Sequence, residues 1–228
     1  LSIIIFNNNM TVSNIKDFLK NPIKRVLHIG SADGSEIPIY DSIQVDEVVW
    51  IEANPVLVES LKQRLETIQP KYTSHVFNKL ITDKVGELTD FHLYYSGPNM
   101  GMSSIYQKVS GACGREDAEF NRVNFYKGTI QLESDTIDNL LESNNIDLDF
   151  DLINVDTQGA ELVVLSGAKK TLEKSKAINT EVTFHTHDYD GGVYFDDLSK
   201  YITSFGYQYK GNTELCSDGS WGDALFER

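Results

Sequence analysis

Apolar residues fall along this chain in short unbroken runs, separated by stretches where they recur every three or four positions. Val26-Leu27-His28-Ile29, Val48-Val49-Trp50-Ile51 and Phe150–Val155 are too short for helices and too continuous for a sheet wet on one face. They predict strands buried on both sides. Val58, Leu61, Leu65 and Ile68 follow Asn54-Pro55 at helical spacing, which predicts an amphipathic helix over 55–68 with an Asn cap and Pro in its first turn. The same reading gives strands at 73–81, 91–95, 128–132, 177–184, 207–210 and 224–227. It gives helices at 34–43, interrupted by Pro38, at 137–142 with Asp135 as cap, at 159–172, and at 195–205 before Gly206. Ser13 caps a short helix ending at Asn21-Pro22, and 115–122 reads as a polar helix.

Strand and helix alternate, so the expected fold is α/β. Strands near 25, 48, 73, 151, 178, 207 and 224 make a Rossmann-like, mostly parallel sheet of seven strands. Helices cover both faces, the end strand is antiparallel, and a β-hairpin and loop are inserted after the third strand. We read 1–23 as an N-terminal segment and 24–228 as a single domain with its insertion at about 83–130. The irregular stretch 96–125 is long enough to be a lid. Two readings of the start stand: Met10 as the native first residue, or Ile3-Ile4-Ile5 as a genuine strand.

Composition narrows the partners. The chain has 228 residues and a formal net charge of −14. No basic run is longer than Lys169-Lys170, which disfavours nucleic acid and an anionic membrane surface. No apolar run has the length of a membrane span. Cys113 and Cys216 form neither a disulfide framework nor a metal-ligand pattern, and a reducing, cytoplasmic setting is expected.

The loop after the first strand carries the chemistry. In the dinucleotide fingerprint its register reads Gly30-x-Ala32-x-x-Ser35, so two of three glycines are missing, and Asp33 would repel a pyrophosphate. A cofactor with an adenosine and no phosphate fits better. S-adenosylmethionine is one: Asp33 would attract its ammonium and Glu52, ending the second strand, its ribose hydroxyls. Ligands in such sheets gather at the carboxyl ends of the strands, here Gly30, Glu52, Asn78, Asp156 and His185.

Several segments resemble the FkbM-type methyltransferases, a class I S-adenosylmethionine-dependent family. They are Val26–Gly34, Trp50–Pro55 and, most specifically, Ile153-Asn154-Val155-Asp156-Thr157-Gln158-Gly159-Ala160-Glu161 with Leu162–Ala168. Thr136–Leu140, Met102–Ile105 and Gly222–Phe226 add to the likeness, which runs in order from about residue 24 to 228. Asn154 and Gln158 stand where the family often has Lys and Glu, and His28 where Asp is common. The resemblance implies methyl transfer, mainly to the oxygen of sugar or secondary-metabolite hydroxyls.

On that reading Gly30, Ser31, Ala32, Asp33, Gly34, Glu52, Ala53, Asn78 and Asp156 bind the cofactor. Asp156 and His185 are the paired candidates for orienting the acceptor and taking its proton. Ser103, Ser104, Tyr106 and His187 are candidates for contacting a small, carbohydrate-like acceptor. His185, His187, Asp188 and Asp190 lack a diagnostic ligand spacing, and no metal is expected. A nucleotide-linked oxidoreductase and a non-catalytic cofactor-binding subunit are the competing readings. Acceptor identity and oligomeric state are not legible.

Overall fold

A computed structural model describes residues 22–94, 101–109, 126–185 and 188–228. The readings placed on 1–21, on 115–122, on Tyr95, on Cys113 and on His187 lie outside the described residues. Strand β1 (Arg25–Ile29) leads through a Gly loop into helix α1 (Ile37–Ser42), then β2 (Glu47–Glu52) and α2 (Pro55–Ile68). β3 (Thr73–Asn78) and β4 (Leu80–Ile81) precede the insertion strands β5 (Leu88–Tyr94) and β6 (Tyr126–Asp135). Then come α3 (Ile137–Ser143), β7 (Leu152–Val155), α4 (Glu161–Ser166), α5 (Lys169–Lys174) and β8 (Ala177–Thr183). The chain ends with α6 (Phe195–Thr203), β9 (Gln208–Leu215) and β10 (Trp221–Glu227).

Seven strands form one sheet in the order β3-β2-β1-β7-β8-β10-β9. The five from β3 to β8 are parallel, and β10 runs antiparallel to both β8 and β9. Neighbouring residues of β1 and β2 point to opposite faces and both are buried. Val26, Val48 and Trp50 join Tyr40 and Leu61 on one side, and Leu27, Val49 and Ile51 join Ile137, Leu165 and Ile202 on the other. This double burial is why these strands read as continuous apolar runs.

The ends of α2 are as expected: Asn54 Oδ1 accepts from Val56 N at 3.0 Å, and left-handed Gln69 (φ 51°) closes it. Four expectations change. Pro38 lies in the first turn of α1, where a missing N–H costs nothing, so it starts the helix instead of interrupting it. The strand expected over 73–81 breaks at Lys79, and Leu80-Ile81 leave the main sheet to pair with Ser134-Asp135 of β6 in a three-stranded sheet, β4-β6-β5. The cap of α3 is Thr136, whose Oγ1 accepts from Asn139 N at 3.2 Å, not Asp135. The helix expected over 159–172 is two, broken at Gly167, where a Cβ would meet the Thr82 carbonyl at 2.3 Å.

A polar thread crosses the sheet interior. Tyr40 Oη lies 3.1 Å from His28 Nδ1, and His28 Nε2 lies 3.0 Å from Asn154 Nδ2. Asn179 Nδ2 donates to Asn154 Oδ1 at 2.9 Å, and Thr213 Oγ1 donates to Asn179 Oδ1 at 2.8 Å. Burial lowers the His28 pKa, so its ring is neutral; Nε2 accepts the amide hydrogen and Nδ1 carries the proton.

Candidate active site

A cleft opens at the carboxyl ends of β1, β2 and β7, with about 540 Å³ of free space that runs into open solvent. Gly30, Ala32, Glu52, Ala53 and Asp156 line it, with Thr157 and Gln158 continuing from Asp156. Leu57, Leu80, Ile81 and Phe91 form apolar walls, and Gly101, Ser103 and Ile105 come over from the insertion. Lys79 lines the cavity where β3 gives way to β4, and its Nζ meets Glu133 of β6 at 3.2 Å.

The loop after β1 is shaped by backbone contacts. Gly30 has φ +76°, and a Cβ there would lie 1.7 Å from the Asp156 carbonyl oxygen, so no side chain fits between the two strand ends. Ala32 adopts φ 46°, which turns its N–H onto Glu52 Oε2 at 2.9 Å. Glu52 Oε1 accepts from Asn54 N at 2.7 Å. Burial pushes the Glu52 carboxyl up to about 7 against these hydrogen bonds, with the charge of Asp156 adding to the rise. Glu52 is thus a nearly enclosed acceptor on the cavity wall, placed to take hydroxyl hydrogens.

Other candidates take different roles. Asp33 pairs with Arg64 of α2 at 3.0 Å and does not line the cavity. Gly34 (φ +73°) makes room for Leu61 and Ile37, and Ser31 is buried with its N–H on the Ile51 carbonyl; neither lines the cavity. Asn78 spends its amide on the Glu52 and Ala53 carbonyls, at 2.9 and 3.0 Å, and acts as a brace behind the site.

Segments far apart in sequence form a roof. Ser104 pairs with His92 of β5, and its Oγ donates to the Gln158 carbonyl at 2.8 Å. Lys108 pairs with Tyr189, and Asp190 N donates to the Gln107 carbonyl at 2.7 Å. The Tyr106 ring packs against Gly191 and does not line the cavity. Of the three proposed acceptor contacts among the described residues, Ser103 lines it and Ser104 and Tyr106 do not. His185 follows β8, is exposed, and does not line it either.

The acids around Asp156 form the densest charge in the site. Asp156, Glu161 and Glu181 bring carboxylate oxygens within 4.8 Å of one another. Glu161 Oε1 accepts from Thr157 N, Thr157 Oγ1 and Gly159 N at 2.9, 3.2 and 3.1 Å, binding the turn that opens α4. Burial, then the Asp156 charge, pushes the Glu161 carboxyl up to about 7. Enclosure raises Asp156 although its carboxylate faces the open cavity, with Gln158 opposing the rise. Burial raises Glu181 and Asp223 well above the usual range, and the Asp156 charge adds to both. The trio is organised by protein N–H groups: Gln158 Nε2 donates to Asp156 Oδ1 at 2.6 Å and to Glu181 Oε2 at 3.2 Å.

The methyltransferase FkbM domain matches residues 28–209. The chain belongs to the FkbM methyltransferase family. This places the FkbM chain among S-adenosylmethionine-dependent methyltransferases and removes the oxidoreductase reading. It is 28% identical over 172 residues to the 2-O-methyltransferase NoeI of Sinorhizobium fredii, over 73% of this chain and 66% of that protein, so it spans just under two thirds of that relative. Two solved structures share the fold. M. capricolum TrmK bound to S-adenosylhomocysteine has a TM-score of 0.52 at 9% identity, covering 95% of this chain and 66% of TrmK. An rRNA methylase from Streptococcus thermophilus has a TM-score of 0.50 at 8% identity, covering 100% and 99%.

The donor set fits the family's cofactor: Glu52 offers a carboxylate to a diol, and Leu57, Leu80 and Ile81 supply an apolar slot. Sequence reasoning missed Lys79, Phe91 and Gln158. Only Gln158 carried a visible signal, standing two residues beyond Asp156 at the end of the same strand. Among the described residues no helix is long and apolar enough to cross a membrane.

Proposed function

We propose that this protein methylates a hydroxyl oxygen of a small, carbohydrate-like acceptor in the cytoplasm, with Asp156 taking the hydroxyl proton. The observation carrying this reading is the Asp156 carboxylate itself, which lines the cavity at the end of the central strand. Glu52, the other acid in that lining, is already engaged by two backbone N–H groups. The name of the curated relative, a 2-O-methyltransferase, supports oxygen as the target, and the net charge of −14 weighs against a nucleic-acid acceptor.

Bound in the cavity, S-adenosylmethionine would supply a methyl group already activated for transfer, its sulfonium sulfur taking the electron pair of the C–S bond as the C–O bond formed. Glu52 would hold the ribose, Gly30 and Ala32 the methionine end, and Leu57, Leu80 and Ile81 the adenine. Asp156 accepts the acceptor's O–H hydrogen, orients the oxygen and later releases the proton to water. The insertion brings Ser103 and Ile105 to the cavity, where with a bound cofactor they would help displace water from the reacting atoms. His185, exposed beyond β8, is given no step. We propose no metal for the reaction, because an amide N–H already lies between two of the three clustered acids.

A screen of sugars and glycosides with radiolabelled S-adenosylmethionine tests the proposal, expecting label in an ether linkage. Label on nitrogen or carbon would refute the chemistry, and activity lost to chelator and restored by magnesium would refute the metal-free step. Cofactor binding without turnover throughout would instead identify a non-catalytic subunit.

A further inference from the structure

We infer that Gln158 is the positioning residue of the methyl-transfer site: its side-chain amide, anchored by the Tyr189 hydroxyl, holds the Asp156 carboxylate at the cavity wall beside Glu181. The inference rests on the reading of Asp156 as proton acceptor. Gln158 sits in the left-handed region (φ 56°) on the turn between β7 and α4. A glutamine there is strained by about 1 kcal/mol relative to a glycine, and its side chain makes use of the turn. Both amide hydrogens go to carboxylates, Asp156 Oδ1 at 2.6 Å and Glu181 Oε2 at 3.2 Å. Its oxygen accepts from Tyr189 Oη at 2.7 Å, whose one proton is shared with the Met102 carbonyl at 2.8 Å. The Gln158 carbonyl accepts from Ser104 Oγ at 2.8 Å. One residue thus ties the ends of β7 and β8 to both halves of the roof.

The chemistry needs such a group. Burial favours the protonated form of Glu181, whose hydrogen bond to Asp156 and the Gln158 amide both favour the charged form of Asp156. A neutral donor of two hydrogens holds both acids without cancelling the charge that makes Asp156 a base. Tyr189 fixes which end of the amide faces the acids. The groups facing the pair are Glu52 from β2, Glu36 before α1, Glu161 from α4, Asp223 from β10, and Asp188 and Tyr189 from the roof. Lys108 lies over the Tyr189 ring. In so acidic a setting, losing the amide hydrogens makes Asp156 hold its proton more tightly.

The test needs no acceptor. In protein saturated with S-adenosylhomocysteine, the carboxyl 13C signal of Asp156, assigned with Asp156→Asn, is followed against pH. Gln158→Leu is expected to raise the titration midpoint by about one unit, and Tyr189→Phe to raise it by less, with S-adenosylhomocysteine affinity within about threefold. Tyr189→Phe keeps the ring and serves if Gln158→Leu fails to fold. An unchanged midpoint in a folded variant overturns the inference. With a sugar acceptor from the screen, the acid limb of kcat should move up by the same amount while KM for the donor holds. A screen that finds no acceptor tells against the methylation reading alone, since the titration still decides the role of Gln158.

Discussion

Replacing Glu52 with glutamine should flatten the pH dependence of stability and weaken cofactor binding. The carboxyl is 7% exposed and its pKa is raised from 4.5 to about 7. A carboxyl raised on folding binds more protons in the folded state than in the unfolded one across that window. Its contribution to stability is therefore full below about pH 4.5 and is lost as pH rises through 7. The loss reaches about 3 kcal/mol above pH 7, an upper figure. Glutamine removes the charge but turns its amide NH₂ toward one of the two backbone N–H groups that the carboxylate oxygens accept. Ligand-free Glu52→Gln should therefore be about 1–3 kcal/mol less stable than the parent near pH 4.5 and recover about that much relative to it by pH 8. For a chain of this size the recovery is about 3–8 °C in Tm. Ribose hydroxyls donate best to the charged form, so the same variant should bind S-adenosylmethionine about 10–100-fold more weakly at pH 8. In the parent, affinity should rise by about tenfold from pH 6 to pH 8 as Glu52 ionises. Scanning calorimetry on ligand-free protein and titration calorimetry with the cofactor read the two effects separately. A variant whose stability relative to the parent does not improve from pH 4.5 to pH 8, or that binds as tightly as the parent, would refute the reasoning.

Three further substitutions test the rest of the site. Asp156→Asn should lower kcat about 10²–10⁴-fold by steady-state assay while changing cofactor affinity less than about threefold; a matching loss of affinity would make it a binding residue instead. Gly30→Ala places a Cβ 1.7 Å from the Asp156 carbonyl oxygen, so thermal unfolding should show a loss of about 2 kcal/mol or more even without ligand. Asp33→Ala removes only a half-exposed ion pair with Arg64 and should leave cofactor affinity within about threefold and stability within about 1 kcal/mol. A large loss of affinity there would restore Asp33 to the cofactor site.

Legibility followed how local the cause was. Val26–Ile29 and Val48–Ile51 declare themselves because both sheet faces are covered, and α2 is bounded by Asn54 and Pro55 within the chain itself. The rule that ligands collect at parallel strand ends located Gly30, Glu52 and Asp156 without knowledge of any contact. Asn78 obeys the same rule yet folds its amide back onto the carbonyls at 52 and 53, and Asp33, read from the loop fingerprint, meets Arg64, 31 residues away. The break at Lys79 depends on β6, more than 50 residues on, and the break at Gly167 on the Thr82 backbone. Gln158 shows the same limit, since its partners at 104, 181 and 189 meet only in the folded chain.

The polar thread from Tyr40 through His28, Asn154 and Asn179 to Thr213 acts as a molecular alignment key. Parallel strands rich in Val, Ile and Leu are nearly interchangeable under a slip of two residues, which keeps every side chain on its own face and costs little packing. The thread forbids that slip. His28 stands beside Asn154, and Asn154 beside Asn179, in the pairing of β1, β7 and β8. Shifting one strand strands a buried amide or ring nitrogen at each broken junction, at about 1–3 kcal/mol apiece. The positions where β1 and β7 end, and with them the gap between Gly30 and Asp156, are therefore measured out by side chains lying several residues below the cavity.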